Sequence, residues 1–302
     1  MGDIKRLAGG DCAQVVYQHD ARHQVGGGQL TGERPADFAG SEDYDSRHAD
    51  YSIGMARVTL ITGGTRGIGY ALADALLRAG EQVVITGTST DGVMRAEHAL
   101  ATACGDSGRI QGLVCDVRDP ASVELAIRTA AARFGGLDAL VNNAGVGVGV
   151  PISEMPHDEW NRIIGTNLTG VFNCCKAVIP FLKHRGAGWI VNLSSLASNN
   201  PFIGGAAYCA SKAGLNAFSE ALMQELRHDN IRVTYILPGS VATGFSLPAG
   251  ALAKAGGRET TAGAEWKLQP EDVAQAIVDV LNHPPRSLPS RVEIRPSRPQ
   301  KS

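Results

Sequence analysis

Two side chains stand four residues apart in an arrangement that could carry acid–base chemistry. They are Tyr208 and Lys212, in the sequence Tyr-Cys-Ala-Ser-Lys, with Ser195 thirteen residues upstream. Because four residues make about one helical turn, the phenol and the ammonium would share a helix face. A phenol loses its proton near pH ~10, and an adjacent ammonium lowers that pKa toward neutrality. With the Ser195 hydroxyl to bind a carbonyl oxygen, the three groups predict a proton-transfer site, although the pair alone is also typical of a solvated helix face.

A glycine-rich loop stands between the first apolar strand and the first helical pattern. It reads Thr62-Gly-Gly-Thr-Arg-Gly-Ile-Gly69 and follows an apolar run at 58–61. Glycines permit a tight strand-to-helix turn, and the amide groups at the start of the helix can bind a pyrophosphate. No Lys-Ser/Thr pair follows the last glycine, which argues against a nucleoside-triphosphate loop. The loop therefore predicts a dinucleotide site, with Gly63, Gly67 and Gly69 supplying the spacing.

The end of the second strand bears on the choice between NAD and NADP. That strand, at about 82–86, ends in Thr-Gly-Thr-Ser-Thr, where an NAD site usually carries Asp or Glu. Without a carboxylate there is no repulsion of a 2′-phosphate, and Arg66, Thr88 and Ser89 offer a cation and hydroxyl donors. Asp91 argues the other way, although it stands several residues late. We expect NADP(H), in preference to NAD(H).

Apolar strands and helical patterns alternate along residues 57–295. Nearly continuous apolar strands predict a parallel sheet that is covered on both faces. Right-handed crossovers then give an α/β fold of the Rossmann type, doubly wound, in a single domain. Asp119 is expected to cap the helix that follows the third strand, with Pro120 in its first position. We expect strands at 58–61, 82–86, 110–114, 139–141, 189–193, 232–237 and 291–294, and helices that include 158–184 and 206–228.

Residues 1–56 differ in composition from everything after them. They are rich in Gly, Asp, Arg, His and Gln and show no sustained apolar period, which predicts disorder or loose packing. Met55 stands immediately before the first core strand, so residues 1–54 could be an upstream extension of the reading frame. The alternative is an N-terminal arm used in assembly. At the other end, residues 296–302 are expected to form a tail.

Composition excludes several classes of protein. The 302 residues carry a formal net charge of −2 and no long basic block, which argues against nucleic-acid binding. No apolar run reaches the ~18–20 residues needed to span a bilayer, and the start of the chain lacks the pattern of a secretory signal. The six cysteines form no Cys-x-x-Cys pair, which favours a reduced, cytoplasmic setting. His19 and His23 have helical metal-ligand spacing but no further cluster around them, so we predict no metal site.

Taken together, the motifs resemble those of the short-chain dehydrogenase/reductase family. The matches follow the family's order and spacing over about residues 57–295 and imply a seven-stranded Rossmann-type sheet and a hydride-transfer enzyme. The segment 87–92 is most similar to 3-oxoacyl-acyl-carrier-protein reductases. The ending at 288–296 departs from them and is closer to members acting on small hydroxy acids, sugars or alcohols. The matching motifs are the glycine loop, Asp116-Val117, Asn142-Asn-Ala-Gly145, Gly165-Thr-Asn-Leu168, Ser194-Ser195, Tyr208-x-x-x-Lys212 and Pro238-Gly239.

The resemblance implies a role for each catalytic residue. Tyr208 would protonate the carbonyl oxygen during reduction and act as the base in the reverse direction. Lys212 would lower the pKa of the phenol and hold the nicotinamide ribose. Ser195, rather than Ser194, would orient the carbonyl. Asn167 would hold a water in a proton relay behind Lys212.

The resemblance also implies a set of cofactor contacts. Asp116 and Val117 would meet the adenine, residues 143–145 would line the adenosine ribose, and Val241 and Thr243 would reach the nicotinamide amide. The full expected set is Gly63, Thr65, Arg66, Gly67, Ile68, Gly69, Thr88, Ser89, Asp116, Val117, Asn143, Ala144, Gly145, Tyr208, Lys212, Pro238, Gly239, Val241 and Thr243.

The expected substrate is a small carbonyl compound or alcohol that binds under residues 244–268. This segment is mostly small and apolar, with Lys254 and Arg258 as basic side chains, which favours a neutral or mixed ketone. Met155, Phe202 and Ile203 could line the same mouth or simply pack. Family members usually form tetramers or dimers through two long helices, and apolar faces around 167–182 and 213–226 allow this.

Three other functions stay open beside an NADP(H)-dependent carbonyl reductase. One is an NAD-dependent alcohol dehydrogenase of the same family. Another is a non-catalytic dinucleotide sensor or scaffold, which would need none of the four catalytic side chains. The third is dehydration or epimerisation on a related fold.

Overall fold

The computed structural model describes residues 56–245 and 265–298. The predictions for residues 1–55, including the start at Met55 and the pair His19 and His23, lie outside the described residues. Most of the expected substrate segment 244–268 and the end of the tail also lie outside them. Within the described ranges, no helix is both long and apolar enough to cross a bilayer.

Seven parallel strands form one sheet in the part of the chain that the structure describes. Their order across the sheet is β3-β2-β1-β4-β5-β6-β7, and every neighbouring pair is parallel. The predicted doubly wound Rossmann-type α/β fold is therefore confirmed. The strands are β1 Val58–Ile61, β2 Gln82–Gly87, β3 Ile110–Val114, β4 Ala139–Asn142, β5 Gly188–Leu193, β6 Ile231–Pro238 and β7 Arg291–Ile294.

Helices cover both faces of this sheet, so its inner strands are buried on both sides. One apolar core lies between the sheet and helices α3, α5 and α6, and the other lies between the sheet and α1, α2 and α7. The expected cap of α3 is confirmed, since the Asp119 carboxylate accepts a hydrogen bond of 3.0 Å from the Ala121 amide and Pro120 begins the helix. The helices are α1 Gly67–Arg78, α2 Thr90–Cys104, α3 Pro120–Phe134, α4 His157–Ile164, α5 Gly170–Arg185, α6 Ala206–Leu226 and α7 Pro270–Leu281.

The predicted long helix at 158–184 is divided by one turn of wider winding. Residues Gly165–Thr169 form a π-helical turn between α4 and α5. A π turn accommodates an extra residue in a helix and is frequent at functional sites. Here it contains Asn167, whose side chain is completely buried.

Parallel pairing brings the carboxyl ends of all strands to one edge of the sheet. The strand order reverses at β1, which has β2 on one side and β4 on the other. A crevice outside the carboxyl ends at such a reversal is the usual ligand site of open α/β sheets. The glycine loop follows β1, Asn143 follows β4, Ser195 follows β5 and Gly239 follows β6. The fold therefore brings the motifs of the sequence to one edge.

We expect Gly63→Ala to destabilise the protein more than Gly135→Ala does. Both glycines have a positive φ, of 66° and 74°, so each alanine pays a similar backbone strain of ~1–2 kcal/mol. A Cβ at Gly63 would also stand 2.9 Å from the Cα of Ala144, whereas nothing lies within 4 Å of one at Gly135. Overpacking against backbone adds ~1–3 kcal/mol to the first variant. Urea unfolding measures the two losses, and equal losses would contradict the close approach.

Candidate active site

The glycine loop is fixed by hydrogen bonds to the loop that follows β4. The Thr62 hydroxyl accepts from the backbone amides of Asn143, at 3.1 Å, and Ala144, at 3.0 Å. In return the Asn143 side-chain amide donates to the carbonyls of Thr62 and Gly63, both at 2.9 Å. The loop held in this way lines the cleft with Gly63 and Gly67, and Gly67 begins α1, where a phosphate would bind.

Lys212 is buried in α6 with its ammonium bound to the end of β5. Nζ donates to the Leu193 carbonyl at 2.7 Å and lies 5.8 Å from the centre of the Tyr208 ring. Burial lowers the pKa of Lys212 to about 8, because desolvation disfavours the charged form. At neutral pH the side chain is still mostly an ammonium.

Tyr208 stands one helical turn before Lys212 and faces the same crevice, as its spacing predicted. Burial raises the pKa of the Tyr208 phenol, and a hydrogen bond from Ser195 acts in the opposite direction. The pKa is thus raised on balance, and the lowering by Lys212 that the sequence predicts stays a prediction. The ammonium lies beside the ring, and desolvation of the phenolate is the largest cause of the shift.

The structure distinguishes the two serines at the end of β5. The Ser194 hydroxyl points into α6, where it donates to the Asn216 side chain at 2.5 Å and to the Lys212 carbonyl at 3.3 Å. The Ser195 hydroxyl lies by the Tyr208 phenol and accepts from the Ala197 amide at 3.1 Å. Of the two, Ser195 is thus the one whose hydroxyl meets the phenol.

Asn167 joins the loop after β4 to helix α6. Its amide exchanges two hydrogen bonds of 2.8 Å with the backbone of Val146 and donates a third, of 3.0 Å, to the Ser211 hydroxyl. The Ser211 hydroxyl in turn donates to the Tyr208 carbonyl at 2.7 Å. Asn167 lies behind the crevice, and its amide nitrogen is fully engaged with protein groups.

One cleft of about 1140 Å³ contains most of the predicted site residues. Its volume exceeds the ~300–1,000 Å³ of an ordinary small-molecule site, as a dinucleotide and a second reactant together require. Ser195, Tyr208 and Lys212 line it, and so do all the expected cofactor residues except Gly69 and Ser89. Gly69 instead packs under Asn143, where a Cβ would stand 2.5 Å from Nδ2. Asn167 does not line the cleft.

Comparison with known proteins agrees with this geometry. The short chain dehydrogenase family model matches residues 57–251. The chain is 38% identical to the 3-oxoacyl-acyl-carrier-protein reductase FabG of Salmonella typhimurium over 187 residues, which cover 62% of this chain and 74% of the relative.

The chain belongs to the short-chain dehydrogenase family. It is therefore an oxidoreductase that acts on a CH–OH or keto group.

Other members of this family are similar over comparable lengths. The D-threitol dehydrogenase of Mycolicibacterium smegmatis is 38% identical over 62% of this chain and 71% of its own. Among solved structures, an alcohol dehydrogenase from Thermococcus sibiricus complexed with 5-hydroxy-NADP superposes with a TM-score of 0.71, at 28% identity over 82% of this chain and all of that one. A 3-ketoacyl-(acyl-carrier-protein) reductase from Brucella melitensis complexed with NADH gives 0.69, at 26% identity over 80% of this chain and 98% of that one.

The end of the cleft at which the adenine is expected contains an ion pair that the motifs do not reveal. The Asp116 carboxylate binds the Arg118 guanidinium through contacts of 2.6–3.1 Å, which lower the pKa of Asp116. This carboxylate already has a partner inside the protein. Val117 lies beside it in the cleft, where an apolar side chain can contact a base.

A smaller hollow next to the glycine loop contains a basic residue that the sequence analysis missed. Arg95, in the second turn of α2, lines this hollow of about 500 Å³ together with Arg66, Thr88 and Ser89. The Ser89 hydroxyl also accepts from the Gly92 amide and caps α2. Arg95 follows Gly92 by three residues, so helical spacing could have placed it on the same face.

The C-terminal end of the chain contributes cleft residues that the sequence analysis assigned to a tail. Pro296 and Arg298 line the cleft, as does Arg295 just before them. No local sequence motif predicts that these residues line the cleft, because their position depends on the pairing of β7 with β6. Of the three apolar residues suggested for the mouth, Phe202 lines the cleft, whereas Met155 and Ile203 do not.

We expect the stability of the wild type, relative to Lys212→Met, to rise with pH. Below pH 8 the lysine is charged in both states and the folded state carries the cost of burying it. Between the folded pKa of about 8 and the ordinary value of 10.5, the unfolded chain binds more protons, so unfolding becomes less favourable as pH rises. From about pH 7.5 to about 9.5 the difference should shift by ~2 kcal/mol in urea unfolding.

The half-exposed Lys183 supplies the control for this measurement. It forms a surface ion pair with Asp229, and Lys183→Met should show no comparable trend. A difference for Lys212→Met that is constant over this pH range would contradict the lowered pKa.

Proposed function

We propose that the protein is an NADP(H)-dependent oxidoreductase that transfers a hydride between the nicotinamide and a carbonyl compound or secondary alcohol. The convergence of Ser195, Tyr208 and Lys212 in one cleft with the glycine loop supports this most directly. The nicotinamide, when bound, supplies the hydride to the carbonyl carbon. The protein's task is then to orient the carbonyl and to deliver one proton to its oxygen.

Tyr208 delivers that proton. The phenol is protonated at neutral pH, as a general acid that donates to the carbonyl oxygen must be, and the hydrogen bond from Ser195 favours the phenolate that is left when the C=O π bond breaks. The Ser195 hydroxyl lies beside the phenol and binds the same oxygen. The products are the alcohol and the oxidised nicotinamide, and the phenol regains its proton from the groups behind it.

Lys212 stabilises the phenolate that forms and provides the ribose-binding ammonium. Its Nζ and the Asn167 side-chain oxygen approach one point beside Gly145, at 3.8 Å and 3.5 Å from a Cβ built there. The oxygen of Asn167 has a lone pair beyond the one that Val146 uses. A water held there would connect Lys212 with the interior, which is the relay that the family resemblance implies.

A non-catalytic dinucleotide sensor is the alternative from another functional class. A sensor needs the glycine loop but has no use for a buried ammonium, and burying one costs several kcal/mol. The free-energy cost of burying Lys212 therefore favours the enzyme.

The five cysteines of the described residues are unpaired, which supports a reducing, cytoplasmic compartment. Assembly as a dimer or tetramer stays a prediction, with Phe172 of α5 half-exposed on the expected face.

Tyr208→Phe should lower kcat by at least ~10²-fold, as expected when a general acid is removed. NADPH consumption with a panel of ketones measures the loss, and a fluorescence titration should show that NADPH still binds. Tyr235→Phe is the control, because its hydroxyl donates to Glu220 at 2.9 Å and lies outside the cleft. Unchanged turnover in Tyr208→Phe would end this mechanism.

The hollow beside the glycine loop supports the choice of NADP(H). Arg66 and Arg95 place two exposed cations there, with the Thr88 hydroxyl between β2 and α2. Asp91 lies in the first turn of α2, and it is not among the residues that line the cleft or the hollow. The carboxylate that argued for NAD(H) is thus away from both surfaces.

Arg95→Ala should lower kcat/KM for NADPH by ~10-fold or more and leave that for NADH within ~2-fold, since a charged hydrogen bond to phosphate is lost. Steady-state kinetics with both cofactors measures the ratio. Arg128→Ala removes an exposed arginine of α3 that pairs with Glu124, and it should change neither value. Equal losses with NADPH and NADH would count against a 2′-phosphate site.

A further inference from the structure

The charges that line the cleft are almost all of one sign. Within the described residues five arginines and two lysines line it, and Asp116 is the one carboxylate. Such a lining attracts anions and raises their local concentration. Part of this charge faces the cofactor, but the cations are spread over both ends of the cleft.

Two of the arginines at the expected adenine end are paired with neighbouring carboxylates. Arg118 binds the Asp116 carboxylate, and Arg162 binds the Glu159 carboxylate in the same helix. Their net contribution to binding an anion is small. The cations at the opposite end include Arg295 and Arg298.

The C-terminal segment brings two arginines to the end of the cleft that contains Ser195. Strand β7 pairs with β6, and the Gly239 amide donates to the Ile294 carbonyl at 2.8 Å. A Cβ at Gly239 would stand 3.0 Å from Pro296 and 3.4 Å from Leu196, the residue after Ser195. The segment therefore runs next to the carbonyl-binding serine, away from the adenine end.

The carboxylates near this segment do not balance its charge. Glu293 is shared between Arg291 and Arg295, the latter at 3.1 Å. Arg298 has no hydrogen-bond or ion-pair partner among the described residues.

An apolar surface lies beside the phenol. The Phe245 ring is centred 5.7 Å from the Tyr208 ring, and Phe202 also lines the cleft. A substrate held between these two surfaces would place its uncharged side at the phenylalanines and an anionic group at the arginines.

We propose that the substrate is an anionic keto or hydroxy compound whose oxyanion binds Arg298 and Arg295 while its carbonyl lies at Ser195 and Tyr208. The proposal rests on the function proposed above and specifies its substrate class. A guanidinium presents paired donors that fit carboxylate and phosphate oxygens alike. The sequence expectation of a neutral or mixed ketone was drawn from residues 244–268 and did not include this segment.

The test compares ketones that differ only in the anionic group. Acetoacetate is paired with methyl acetoacetate, and dihydroxyacetone phosphate with dihydroxyacetone, so that a carboxylate and a phosphate are tested separately. The wild type should prefer the anion of at least one pair by ~10- to 100-fold in kcat/KM, as a charge-assisted contact provides. Raising the salt concentration should reduce this preference.

Arg298→Gln and Arg295→Gln should reduce that preference toward one, because kcat/KM for the anionic partner falls more than that for the neutral partner. Arg298→Lys should retain part of it, because the charge remains and the paired donors are lost. Arg286→Gln is the control. It removes an exposed arginine from the turn before β7, at the opposite edge of the sheet, and should leave kcat/KM unchanged for the anionic and the neutral ketones.

Binding provides a readout that does not depend on turnover. In the presence of NADPH, with which it cannot react, the hydroxy acid 3-hydroxybutanoate should give a measurable heat of binding with the wild type and none with Arg298→Gln. If ketones are reduced with no preference for either anion, the substrate class is wrong and the oxidoreductase stands. If none of the four ketones is reduced while the hydroxy acid binds through Arg298, the anion site stands and the proposed reaction fails.

Discussion

The bond between the Lys212 ammonium and the Leu193 carbonyl holds helix α6 against the end of strand β5, and the active site depends on it. Tyr208 is one helical turn from Lys212, and Ser195 is two residues from Leu193. This contact of 2.7 Å, together with the hydrogen bonds of Ser194 to α6, sets the distance between phenol and serine. A buried ammonium without a partner would be severely destabilising, so the carbonyl also makes the charge tolerable.

Hydrogen bonds between neighbouring loops also stabilise the edge of the sheet where the strands end. Asn143 and Thr62 bind the loops after β1 and β4, and Asn167 binds the loop after β4 to α6. These groups lie beyond the ends of the strands, so the hydrogen bonds of the sheet do not pair them. Buried polar groups must find partners, and here the partners belong to neighbouring loops. These bonds hold the loops around the crevice in fixed positions relative to one another, which is what positioning a hydride donor and a carbonyl requires.

Much of this architecture could be predicted from the sequence, because the signals were local. The apolar runs gave the strands, and the glycine loop and the Asp119-Pro120 pair lay where local chemistry places them. What could not be predicted depends on contacts distant in sequence or on burial. Arg298 reaches the cleft only through the pairing of β7 with β6. The pKa of Tyr208 shifts upward because the phenol is desolvated, a quantity that residue spacing does not contain.

The π-helical turn at Gly165–Thr169 has a consequence for how this chain can vary. Each residue of an α-helix advances about 100° around the axis, so one additional residue rotates everything that follows by roughly that angle. The turn points Asn167 inward and at the same time sets the rotational phase of α5, including the outward direction of Phe172. Shortening the turn by one residue would change both at once. The interior hydrogen-bond network and the outer surface of α5 are therefore constrained to change together.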